Sequence, residues 1–162
     1  MSRQTVRTAV KEWVETANIP HLNQVLAAHP KRINFQVNSA AGEMTRAAGI
    51  VFIQGEQESR IAVGGASDGW KRVDYDVVFQ IFTHSVEPDS QDSMVAFDDI
   101  VDAVKARLRA GGHRLGETDG DVIWQAAEPS ISVDYGEPKT NSGGATEIWA
   151  GINFTVTEMI RS

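Results

Sequence analysis

Asp74 and Asp76 are carboxylates two residues apart in the stretch Trp70–His84, WKRVDYDVVFQIFTH. Strand alternation puts both on one face, where a general acid and a general base could work as a pair. Such a pair also reads as a solvated strand edge that discourages unwanted pairing. Catalysis would need burial to perturb a pKa, and the neighbouring residues give no sign of it. Asp98, Asp99 and Asp102 form a second acidic group. Asp98 and Asp99 fall on different helix faces, and no His or Glu joins them at ligand spacing, so the triplet is a poor metal cage. The histidines His21, His29, His84 and His113 make no HExxH, HxH or nucleophile–base motif. Gly64, Gly65 and Gly69 lie in GGASDG, which is neither GxGxxG nor a P-loop and precedes a strand rather than a helix. The chain has no cysteine, so thiolate ligands, a Cys nucleophile and disulfides are excluded. The residues predict no catalytic, metal or cofactor site.

Length and charge bound the remaining classes. A chain of 162 residues is one domain's worth, here taken as residues 1–162, and can bury a core without staples. The N-terminal MSRQTVRTAVKEW has no apolar run suited to a signal peptide or a membrane span. The expectation is a protein made and used in the cytoplasm, or exported only within a larger particle. The net charge of −7 is uneven. Residues 1–84 carry nine Lys/Arg against eight Asp/Glu, and residues 85–162 six against fourteen, hence +1 and −8. An acidic C-terminal half is a poor grip for a phosphate backbone. It suits solubility, a basic partner, or a channel in which DNA must not stick.

The elements that must position these residues follow from periodicity. Val6, Val10, Trp13, Val14 and Ala17 form one apolar face of a helix over Arg3–Ala17. Arg3, Arg7 and Lys11 recur at i, i+4 and i+8 as a basic stripe elsewhere on it. Residues 19–26 suggest a second short helical turn. Ile33–Val37 alternates as a strand, and Asn38–Gly49 reads as a loop. Ile50–Ile53 and Ser59–Val63 read as a hairpin turned by Gly55–Glu58, and Gly64–Gly69 as the next turn.

Trp70–His84 is a long strand, roughly 45–50 Å if fully extended, so part of it should bend or project beyond the sheet. Val73, Tyr75, Val77, Phe79 and Ile81 form its apolar face. Ser93–Ala110 is an amphipathic helix with Phe97, Ile100, Val101, Val104 and Leu108 inward, ended by Gly111–Gly112. Val122–Trp124 and Ile131–Tyr135 are strands separated by Pro129. Residues 136–147 form a flexible hairpin loop that includes Lys139, Thr140 and Asn141. In Glu147–Ile160, Ile148 to Val156 alternate with an open face that carries Trp149, Asn153, Thr155 and Thr157. Tryptophans near strand ends or on an open face are common interface anchors; the plain reading is that a second helix covers them. The fold class expected is α+β: a mixed, mostly antiparallel sheet with an N-terminal helix and one long helix packed on one face.

The stretch DVVFQIFTHSVEPDSQDSMVAFDDIVDAV, Asp76–Val104, and the closing strand GINFTVTEM, Gly151–Met159, resemble the lambda-type tail terminator proteins of long-tailed bacteriophages. The resemblance implies a non-enzymatic virion protein at the tail–neck junction, assembled in the host cytoplasm. It implies a homo-hexameric ring on the tail-tube protein that ends tube polymerisation and meets head-completion proteins. DNA would pass through without sequence-specific binding, and no cofactor or membrane is implied. Interface candidates are then Arg3, Arg7, Lys11, Asp74, Asp76, Trp149, Asn153 and Thr155. The loop Lys139, Thr140 and Asn141 would order on assembly, and Glu117, Asp119 and Asp121 would face the lumen. Two other readings are a different head–tail connector or stopper, and a cone-shaped ligand-binding or enzyme domain like the nuclear-transport-factor-like family. The cone-shaped domain would hold Asp74 or His84 in an enclosed apolar pocket; a ring protein would leave an open, flat sheet face.

Overall fold

The computed structural model describes residues 3–28, 47–60, 69–85, 90–110, 122–124, 131–140 and 146–161. The elements are α1 (Arg3–Glu15), β1 (Leu22–Leu26), β2 (Ala47–Arg60), β3 (Trp70–Ser85), α2 (Ser90–Ala110), β4 (Val122–Trp124), β5 (Ser132–Tyr135), β6 (Lys139–Thr140) and β7 (Thr146–Arg161). Among the described residues one sheet holds every strand. Its order is β1-β2-β3-β7, with β4, β5 and β6 strung along the far side of β7. β1 and β2 pair in parallel. The other ladders are antiparallel, which gives the expected α+β class. β3 and the β4–β6 edge run parallel with β7 between them, and α2 carries the chain across.

Both helices lie on the same face. Val6, Val10 and Val14 of α1 and Phe97, Ile100, Val101, Val104 and Leu108 of α2 are buried in one cluster with Val73, Tyr75, Val77, Phe79 and Ile81. Burying a valine or phenylalanine this fully is worth about 1.5–3 kcal/mol. Trp13 locks the helices together. Its Nε1–H donates to Arg107 O at 3.0 Å, while Arg107 Nε donates to Trp13 O at 2.8 Å. The Arg107 guanidinium also sits 3.8 Å above the indole centroid. This explains why α2 ends in basic residues that do more than offset its dipole.

The structure corrects several expectations. Residues 22–26 are strand, not helical turn. Asn18 (φ 48°) and His21 (φ 67°) take left-handed backbone and turn the chain out of α1, so that Leu22–Leu26 runs beside Ala47–Ile50. β2 is one 14-residue strand that starts at Ala47, inside the expected loop, with no turn at residues 55–58. Gly55 instead sits at a bulge: Ile53 pairs with Val77 and Gly55 with Asp76, so the ladder absorbs one extra residue. β3 does not project, because β7 pairs with it from Trp70 through Ser85. Lys139 and Thr140 are strand rather than loop, paired with Glu147 and Thr146. The expected strand at 33–37 and the glycines at 64 and 65 lie outside the described residues.

Two glycines are fixed by close approach. A Cβ on Gly49 would fall 2.4 Å from Phe79 Cζ, so the ring can lie over β2 only because Gly49 has none. A Cβ on Gly136 would fall 2.0 Å from the Trp149 ring.

Candidate functional site

The sheet face away from the helices is divided along its length. Toward one end Ala48 and Ile50 are buried. Toward the other the register sets Asp74 beside Thr157, Asp76 beside Thr155, and Val78 beside Asn153. β-alternation puts all of these on one side because their neighbours Val73, Tyr75, Val77, Phe154 and Val156 are committed to the core. Asp74 Oδ1 accepts from Arg72 Nε at 2.8 Å and from the Thr157 hydroxyl at 2.5 Å. Asp76 is exposed, and Asn153 Nδ2 donates to Asp134 Oδ2 at 2.8 Å. The result is a polar cluster across β3, β7 and β5, with Thr157 buried, Asp74, Asn153 and Thr155 half-buried and Asp76 exposed. Asp74 is thus held by two donors.

The remaining predicted residues scatter. Trp149 shares this face but lies half-buried against Gly136, whose N–H bonds Trp149 O at 2.9 Å. Its ring packs within the subunit, covering a glycine in the adjoining chain segment. Arg3 reaches Glu56 of β2 with two 2.7 Å bonds, which lower the Glu56 carboxyl below its ordinary value. Lys11 pairs with Glu15 at 2.6 Å. Arg7 lies between them on α1, and its Nε is buried with no hydrogen-bond partner among the described residues. α1 therefore keeps Arg3, Arg7 and Lys11 together on one side but away from Asp74, Asp76, Asn153 and Thr155. Lys139 is exposed in β6, and Thr140 follows it in the same strand. Asn141, Glu117, Asp119 and Asp121 lie outside the described residues.

Sequence reasoning passed over two features. Glu158 is 2% exposed on the helix-covered face, where its Oε2 accepts from the Tyr75 hydroxyl at 2.9 Å. Extending the Ile148-to-Val156 alternation by one step points to it. The second feature is the outer edge. Tyr135 pairs with Ala150 on the helix side of β5, at 58% exposure. Its phenol is raised above the ordinary value, first by partial desolvation and then by the carboxylates of Asp98 and Asp102. Met94 and Val95, 45% and 55% exposed, precede those acids on α2.

Among the described residues no group of three or more His, Asp or Glu is placed to hold a metal ion, and no helix is long and apolar enough to cross a membrane. No protein-family model matches the chain, and no curated protein matches it.

Proposed function

We propose that this chain is a structural virion protein, a ring-forming tail terminator that caps the tail tube of a long-tailed bacteriophage and joins tail to head. The observation that carries the reading is the polar cluster of Asp74, Asp76, Asn153 and Thr155 across adjacent long strands. A cluster built on paired strands is rigid, and a rigid polar strand surface fits a broad protein partner. The likeness of Asp76–Val104 and Gly151–Met159 to the lambda-type terminators supplies the identity of that partner, the last ring of tail-tube protein. Having both helices on the opposite face supports the reading too, since it leaves the cluster clear of them. The ring would be a homo-hexamer, with the head-completion protein at its other end and DNA passing through its lumen.

Purified protein mixed with tail tubes tests this. The reading expects rings at tube ends and tubes that stop growing. Protein that stays monomeric beside growing tubes would defeat it.

A further inference from the structure

β2 changes character along its length. From Ala47 to Val51 every residue is buried, whereas Gln54 and all of Glu56–Arg60 are exposed, on both faces of the strand. Among the described residues β1 reaches only as far as Ile50, so beyond it β2 is paired with β3 alone. Burial fixes a register because a slip of one residue sends every side chain to the other face. A strand end with both faces wet lacks that restraint, and the bulge at Gln54 gives this one a spare residue.

Two registers can be drawn for this end of β2. In the observed one Gln54 is the extra residue, and Glu56 pairs with Tyr75, Gln57 with Asp74, Glu58 with Val73 and Ser59 with Arg72. Tyr75 and Val73 belong to the core, so Glu56 and Glu58 stand on the helix side. There Glu56 accepts two 2.7 Å bonds from Arg3 of α1, and Glu58 Oε1 lies 2.6 Å from Lys71 Nζ. Regular pairing continued from Ile53 and Val77, without the bulge, would instead set Glu56 opposite Asp74 and Ser59 opposite Lys71. It would turn Glu56 and Glu58 to the face that carries Asp74 and Asp76. Like charges directly opposite each other are destabilising.

We propose that the end of β2 is a register switch, held in its bulged setting by the Arg3–Glu56 ion pair. The pair ties the first turn of α1 to a stretch of strand that burial does not restrain, so α1 sets which side of β2 faces the polar cluster. Breaking it lets the spare residue enter the ladder and brings two more carboxylates onto the face of Asp74 and Asp76. The hold is light, because an exposed ion pair shifts such an equilibrium only about two- to fivefold. A segment held this lightly is shifted by any partner that binds one register better. The switch does not depend on what that face binds.

The cysteine-free chain lets disulfides report the register. Ser59→Cys with Arg72→Cys places thiols on direct partners of the bulged ladder. Ser59→Cys with Lys71→Cys makes direct partners only after the slip; in the bulged ladder these two positions point to opposite faces. Each pair is made with and without Arg3→Gln/Glu56→Gln and treated with a mild oxidant. A disulfide between positions 59 and 72 in both proteins shows that the strand is in place. Neutralising Arg3 and Glu56 should speed the disulfide between positions 59 and 71 about two- to fivefold. High salt should speed it where the ion pair is present and not where it is neutralised. A disulfide between 59 and 71 that forms equally fast with and without the ion pair would overturn the switch. So would its absence from both proteins while the one between 59 and 72 forms in full.

Discussion

The Tyr75 hydroxyl donates a 2.9 Å hydrogen bond to the Glu158 carboxylate between β3 and β7, inside the face that both helices cover. A buried carboxylate is tolerable only while donors face it. Tyr75→Phe removes this one, and the expected cost is about 1–3 kcal/mol, read from urea unfolding. Tyr75→Phe combined with Glu158→Gln should cost less than the sum of the single changes, because the two groups form one unit. Additive costs would show that the bond contributes nothing.

Alkaline pH probes the same bond. Burial, and then the bond to Glu158, push the Tyr75 phenol well above its ordinary value of 10.0. A pKa raised by folding gives stability that is fully present below the unfolded value and lost as pH climbs toward the folded one. Unfolding free energy should therefore fall above about pH 10. In Tyr75→Phe this part of the fall should be missing, which a comparison of melting temperatures at pH 8, 10 and 11 would reveal.

Gly49→Ala places a methyl group where the Phe79 ring already is. Overpacking of this kind costs typically about 1–3 kcal/mol. Gly49→Ala with Phe79→Leu should recover part of the loss in chemical denaturation, because the shorter side chain vacates the contact.

Trp149 separates packing from recruitment. Its ring lies on Gly136, so Trp149→Ala should lower the stability of the isolated subunit by about 1–3 kcal/mol. Asp76→Lys, at an exposed position, should leave that stability within about 0.5 kcal/mol. Thermal unfolding of both variants distinguishes a residue that packs from one that only faces outward.

The strands and helix with long, unbroken periodicity were legible in the sequence. Trp70–Ser85, Ser90–Ala110 and Thr146–Arg161 lie within a few residues of where alternation and the 3.6-residue repeat put them. The short pieces were not. Leu22, Val25 and Leu26 recur at i, i+3 and i+4, which is equally a helix face, and only the distant Ala47–Ile50 makes them a strand. Gly55 carries the same signal whether it opens a turn or fits a bulge; the choice is made by Asp76 on the neighbouring strand. Lys139 and Thr140 are too few to show a period, and β7 draws them into the sheet. The polar cluster was half legible. Alternation gave the shared face of Asp74 and Asp76, and of Asn153 and Thr155. Their adjacency needed the β3–β7 register. The exposure of Tyr135 left no trace, because a tyrosine at the end of a short strand looks the same whether it is packed or faces solvent.

The most direct measurement is electron microscopy of growing tail tubes with wild-type protein and with Asp76→Lys/Thr155→Lys. For the wild type, rings about 100 Å across should sit on tube ends and tube lengths should stop increasing. The double variant, folded by circular dichroism, should leave the ends bare. Tubes that lengthen equally with no protein, wild type and variant would contradict the account.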